Sequence, residues 1–318
     1  MLLMGLCFSA ARGAGPEEEI TLGNYLKRAG YSQIQLELDR DNHLFVRGIL
    51  RGKKQRFVLD TGSGVTRLDP KLARGLDKFD GSKLKPEDAS LNGAPVSGLV
   101  VMDELELGGL NFLDQPAQVG AVASGLARVA ENGLLGCDFF YRNHCIIDCV
   151  HARLYVRSNA LPADLESDLA AILHQSGFTE TRIRQKPGLP GTCKAKLNGE
   201  ELELILDTAS PWTVLDWDCG RRLKLPVMEK PAHLDFSGIR KPGAHGLQEA
   251  QAQTLQLGGA TLKRAYVALA DLSAWEAAVP GKTMPEALGR LGVETLATAG
   301  ALLDFGTSKL WLNPPAPR

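Results

Sequence analysis

The sequence predicts an all-β fold with a few short helices, assembled from two copies of one unit. Three observations predict it. The run Phe57-Val58-Leu59-Asp60-Thr61-Gly62-Ser63 returns 147 residues later as Leu204-Ile205-Leu206-Asp207-Thr208-Ala209-Ser210. The same step aligns Gly30 with Gly177, Gly52 with Gly199, Thr66 with Thr213, Leu68 with Leu215 and Arg74 with Arg221, without a gap. Self-similarity at a fixed offset is the mark of a duplicated unit. Finally, 34 glycines and 17 prolines set among short apolar runs favour short strands joined by turns.

Each copy opens with a helix. Leu161, Leu165, Leu169, Ile172 and Leu173 keep helical spacing, with Pro162 in the first turn and Gly177 as the stop. Leu22, Tyr25, Leu26 and Gly30 form the shorter counterpart. Strands follow over Ile34 to Leu38 and Leu44 to Leu50, and over Gly191 to Leu197 in the second copy. Arg51-Gly52 and Asn198-Gly199 then turn the chain back into the strand that ends on the aspartate. A short strand comes next (Val65 to Leu68; Trp212 to Leu215), then a helical turn (Pro70 to Leu76; Asp218 to Leu223). Residues 80–98 and 231–247, rich in glycine and proline, read as loops or hairpins. Each copy finishes in a Leu-Gly turn and a strand: Leu135-Gly136 then Ile146-Ile147-Asp148, and Leu291-Gly292 then Leu302-Leu303-Asp304. Tyr31 and Phe178, just after the repeated glycines, are expected in the core of each lobe, and the four tryptophans in core or lining positions.

These features divide the chain into residues 1–15, 16–160 and 161–318, with the boundary between copies near Ser158 to Ala163. The first 15 residues are small and apolar and end in small residues, which suits a cleaved export signal and a periplasmic or extracellular protein. With 23% charged residues and a net charge of −1, the chain offers no basic field for nucleic acid. No other apolar run reaches the ~20 residues needed to cross a bilayer. The six cysteines show no C-x-x-C pair and no metal-ligand spacing, and Cys145 and Cys149 read as small core residues. The six histidines are scattered and read as surface or loop residues. No cofactor and no metal is implied.

An aspartate delivered by a buried apolar strand is costly unless it is paired or used. With that motif present twice, the chain resembles the aspartic peptidases of the pepsin and retropepsin clan, and most closely the bacterial retropepsin-like group, here duplicated into one chain. The resemblance rests on the Asp-Thr-Gly-Ser and Asp-Thr-Ala-Ser runs, the first followed by Leu134-Leu135-Gly136 and the second by Arg290-Leu291-Gly292, and covers most of residues 20–313. It implies two closed β-barrel lobes related by a pseudo-twofold and facing a central cleft. Asp60 and Asp207 are then the catalytic pair, sharing one proton and activating a water that attacks a peptide carbonyl. Thr61 and Thr208 are expected to cross-brace the two turns, with Gly62 and Ala209 completing them. Ser63 and Ser210 are expected to donate to the outer carboxylate oxygens, which favours the ionised form and an acidic working pH. The implied partner is a polypeptide held extended in the cleft of a monomer.

The second copy departs from the pattern at Ala209, Pro211 and Arg290, the last standing where the first copy has Leu134. The first copy offers no tyrosine between Asp69 and Tyr141 to cover the cleft. Two other readings therefore stand beside an endopeptidase. One is a weakened or inactive homologue that binds peptides, and the other is a dimer in which equivalent lobes pair between chains. Asp60 and Asp207 as carboxylates that merely accept turn hydrogen bonds is the competing structural reading. Asp148 and Asp304, which also repeat, read as strand-end or turn residues.

Overall fold

The computed structural model describes residues 22–39, 42–78, 96–120, 122, 133–186, 188–230, 233–234, 246–272 and 289–314. The expected leader, most of the two glycine- and proline-rich loops, and Trp275 lie outside the described residues.

The first barrel is built from β2 (Glu37–Leu38), β3 (Leu44–Leu50), β4 (Lys53–Leu59), β5 (Arg67–Leu68), β6 (Asp77–Lys78), β7 (Val96–Leu107), β8 (Leu110–Gly120) and β9 (Gly133–Leu135). Their order is β2-β3-β4-β9-β5-β8-β7-β6, and a further β3–β7 pairing closes the six strands from β3 to β7 in this order into a ring, with β2 and β6 flanking it. The second barrel uses β13 (Thr192–Leu197), β14 (Glu200–Asp207), β15 (Val214–Asp216), β16 (Gln248–Leu257), β17 (Ala260–Ala270) and β18 (Gly289–Gly292), closed in the order β13-β14-β18-β15-β17-β16. Closure removes exposed sheet edges and turns alternate side chains into a sealed core. Both barrels start from the same hairpin. Arg51 and Gly52 have φ of 52° and 72°, and Asn198 and Gly199 of 50° and 90°, so both central residues are left-handed, as a type I′ turn requires.

A third sheet joins the lobes. Its order is β1 (Ser32–Gln35), β11 (Arg153–Val156), β10 (Ile146–Asp148), β19 (Leu302–Asp304), β20 (Lys309–Leu312) and β12 (Thr179–Arg182). The central pair is antiparallel, with Ile147 opposite Leu303, so the pseudo-twofold passes through equivalent residues of the two copies. Two helices, α1 (Leu22–Arg28) and α3 (Ala163–Gln175), cover one face of this sheet. Tyr31 and Phe178 are buried in that layer with Tyr155 and Trp311. They are therefore core of the junction, not of the lobes.

The second lobe forms the expected helix as α4 (Trp217–Arg222), capped by Asp216 accepting from the Asp218 N–H. In the first lobe residues 70–76 make only turns. The strand expected over Ile34 to Leu38 is two strands, because Leu36 donates its N–H to Ala152 and hands the chain from the junction sheet to the barrel. His43 is buried, not exposed, with Nδ1 3.1 Å from Asp39 Oδ2. Among the described residues the five cysteines are free and buried, and no helix is long and apolar enough to cross a membrane.

Candidate active site

Two identical backbone devices carry Asp60 and Asp207 to the junction. Asp60 follows β4, which pairs in parallel with β9, and its N–H donates to Leu135. Asp207 ends β14, opposite Gly292 in β18. In each turn the serine N–H returns to the aspartate carbonyl at 3.2 Å (Ser63 to Asp60, Ser210 to Asp207). Two further short helices, α2 (Cys137–Arg142) and α5 (Val293–Thr298), lean their first N–H groups on these turns, Cys137 donating to Ser63 and Val293 to Ser210. A side chain at Gly136 would overlap the backbone of Val65, and one at Gly292 that of Trp212, so both positions need glycine for close approach. The Thr66 and Thr213 hydroxyls accept from the N–H of Gly136 and Gly292.

The two turns grip each other. Thr61 N–H donates to the Thr208 hydroxyl at 3.2 Å, and Thr208 N–H to the Thr61 hydroxyl at 3.0 Å. The hydroxyls in turn donate to the carbonyls of Leu206 and Leu59. All four groups are buried, so each bond also satisfies a group that water cannot reach. The brace brings the first turn against the second aspartate: a methyl built on Gly62 would lie 2.5 Å from Asp207 Cγ.

Both carboxyls are almost wholly buried, at 4% and 2% exposure. Burial first, and the Asp207 charge second, push the Asp60 carboxyl up to about 7, while Arg290 and the N–H groups of Gly62 and Ser63 pull the other way. Asp207 accepts from the Ala209 N–H on Oδ1 and from Arg290 Nη1 on Oδ2, at 3.1 and 2.6 Å. The serines do not serve the carboxylates. Ser63 Oγ donates to the Val65 carbonyl and Ser210 Oγ to that of Trp212, both at 2.8 Å. Each closes a local turn two residues on, a contact that a short hydroxyl reaches without spanning the site. The two hydroxyls therefore give no support to an acidic working pH.

Arg290 is the site residue whose part the sequence did not reveal. Its signal was present as a charged residue inside an apolar strand, but its partner is 83 positions away. The Ala209 methyl is buried in a cluster with Phe45, Val58 and Leu134. The other repeated acids hold turns. Asp148 accepts from the N–H groups of Val150 and His151, and Asp304 from the N–H and hydroxyl of Thr307. Among the described residues no cluster of His, Cys, Asp and Glu suits a metal ion.

A sequence model described as aspartyl protease matches residues 46–139 and 193–295, one segment in each lobe and more than half the chain together. No curated protein matches the sequence significantly. Similar solved structures include a retropepsin-like aspartic protease from Rickettsia conorii, 22% identical over 40% of this chain and 90% of that one, with a TM-score of 0.27. An aspartic proteinase from Irpex lacteus is 11% identical over 90% of this chain and 98% of its own, with a TM-score of 0.48. Basic 7S globulin from soybean is 10% identical over 89% and 95%, with a TM-score of 0.47.

Proposed function

The chain belongs to the aspartyl protease family, and from that premise we propose that it is an aspartic endopeptidase whose catalytic pair is Asp60 and Asp207, one from each lobe. The observation that carries this reading is the Thr61–Thr208 brace, which locks two buried aspartate turns together across the pseudo-twofold. A carboxyl that keeps its proton to about pH 7 beside a second, charged one is what proton transfer in both directions needs. The pair acts on a water bound between them. One carboxylate takes a proton as the water oxygen attacks the peptide carbonyl carbon, and the other donates to the carbonyl oxygen. The substrate is a polypeptide lying extended between the lobes of a monomer, its backbone hydrogen-bonded as an added strand would be.

The test is cleavage of an unfolded, alkylated protein by the purified chain, followed from pH 3 to 9. Wild type is expected to cleave it, with activity declining as the pH rises through about 7, and Asp60→Asn and Asp207→Asn each to lose cleavage while keeping the fold. Full activity in either variant ends the proposal. The Arg290 ion pair favours a second reading, a homologue that binds peptides without cutting them. Saturable peptide binding by a wild type that cleaves at no pH would establish that reading instead.

A further inference from the structure

Arg67 and Arg290 stand on the same rung of the two barrels, but on opposite strands. In the first barrel β5 runs antiparallel to β9 and Arg67 lies opposite Leu134. In the second, β15 runs antiparallel to β18 and Val214 lies opposite Arg290. The 147-residue step carries Arg67 onto Val214, and the Leu-Gly motif carries Leu134 onto Arg290. Each lobe thus buries one guanidinium at this rung, at 1% and 6% exposure, in positions that the pseudo-twofold does not relate.

The asymmetry reaches the acids. Arg290 comes from the strand beside Asp207 and makes an ion pair with it at 2.6 Å, both side chains more than nine-tenths buried. Leu134, its counterpart beside Asp60, is apolar and packs with Phe45, Val58 and Ala209. Where both side chains are this buried, a guanidinium this close favours the ionised carboxylate. Other groups also face the pair, and the Asp60 carboxyl is nevertheless raised, by burial and by the Asp207 charge. The Cys137 thiol of α2 is pushed well up by burial and carries no charge. The Asp138 carboxylate is occupied by the N–H and hydroxyl of Thr66 and by the Phe139 N–H. Arg67 is a cation on the Asp60 side, its hold on the proton lowered by burial and raised by the Asp60 charge.

We propose that Arg290 is a positioning residue that makes Asp207 the anion of the pair and leaves the shared proton on Asp60, so that the two acids have fixed and different parts. The inference rests on the endopeptidase reading for its chemistry. The water oxygen bonds to the carbonyl carbon, one water proton passes to Asp207, and the Asp60 proton passes to the carbonyl oxygen. As the resulting diol collapses, the C–N bond breaks, Asp207 gives its proton to the leaving nitrogen, and a diol hydroxyl returns one to Asp60. The products are a carboxylic acid and an amine, and both aspartates end as they began. The high-lying Asp60 carboxyl is in keeping with this assignment.

Two measurements test it. In the pH profile of kcat/KM, Arg290→Leu and Arg290→Gln remove a cation that favours the charged forms. Both limbs are expected to move to higher pH, the acid limb by a unit or more. Arg290→Lys, which keeps the charge, is expected to hold the acid limb within a few tenths of a unit. An unmoved acid limb in folded Arg290→Leu and Arg290→Gln overturns the inference. The second measurement needs no catalysis. With 13C at the aspartate Cγ, the pair in the wild type at pH 5 is expected to give one carboxyl and one carboxylate signal, the carboxylate being the one lost in Asp207→Asn. A carboxylate signal that instead vanishes in Asp60→Asn, or a single averaged signal, overturns it. The two failures are distinguishable: an asymmetric pair in a chain that cuts nothing rejects the endopeptidase, whereas cleavage with a symmetric pair rejects the part given to Arg290.

Discussion

The Thr61 and Thr208 hydroxyls each accept the other's backbone N–H, at 3.0 and 3.2 Å, and each donates to the carbonyl two residues before the other threonine. Thr61→Val removes the hydroxyl, keeps the shape, and strands the Thr208 N–H and the Leu206 carbonyl inside the molecule. Buried groups left without partners cost about 1–3 kcal/mol each. Urea unfolding should show a loss of more than ~2 kcal/mol for Thr61→Val, and Thr61→Ser should recover most of it.

Gly62 and Ala209 hold equivalent places but tolerate opposite changes. A methyl at Gly62 meets the Asp207 carboxylate at 2.5 Å, with Arg290 on that carboxylate's Oδ2. Gly62→Ala is expected to lower kcat by a factor of ten or more. Ala209→Gly loses one buried methyl and gains backbone freedom, worth about 1–2 kcal/mol together, with kcat changing less than threefold. Steady-state kinetics and a thermal melt on both variants check this pair.

The raised Asp60 carboxyl makes stability depend on pH. Below about 3.8, its ordinary value, the group is protonated whether the chain is folded or not, and nothing is lost. Between there and about 7 the unfolded chain has released the proton and the folded one still holds it, so stability falls as the pH rises. Asp60→Asn is free of this linkage. Its stability relative to wild type should climb across that window by on the order of 4 kcal/mol and then level off. Unfolding curves at pH 4, 5.5, 7 and 8 measure it, and a flat difference would exclude the assignment of the shift to Asp60.

Gly136 and Gly292 lie where a Cβ would enter the backbone of Val65 and Trp212. Either glycine changed to alanine must push a central strand off the aspartate turn. Each variant should lose about 3 kcal/mol, the upper end of what overpacking costs, and be recovered mainly as insoluble protein. Soluble variants with wild-type melts would contradict this packing.

Local chemistry made much of the fold legible. Asn198-Gly199 announced its hairpin, the period of Leu161 to Leu173 announced α3, and the repeated Asp-Thr runs announced that two turns are equivalent. Contacts across the fold were not legible in the same way. The Ser63 and Ser210 hydroxyls choose carbonyls two residues away over the carboxylates, a competition decided by reach that spacing cannot rank. Arg290 looks like a blemish in an apolar strand until β18 is laid beside β14 and the guanidinium meets Asp207. Tyr31 and Phe178 follow the barrel-bound pattern yet serve the junction, because which layer an aromatic joins depends on how α1 and α3 fold back on the third sheet.

The pairing of Ile147 with Leu303 fuses into one polypeptide a symmetry that two separate copies of one gene product could also make. Such copies inherit every mutation twice: an arginine arriving beside one acid would arrive beside the other, and the acids would stay interchangeable. A tethered pair of halves escapes that rule. Each half keeps its own history, and an arginine can be fixed beside one acid while leucine stays beside the other.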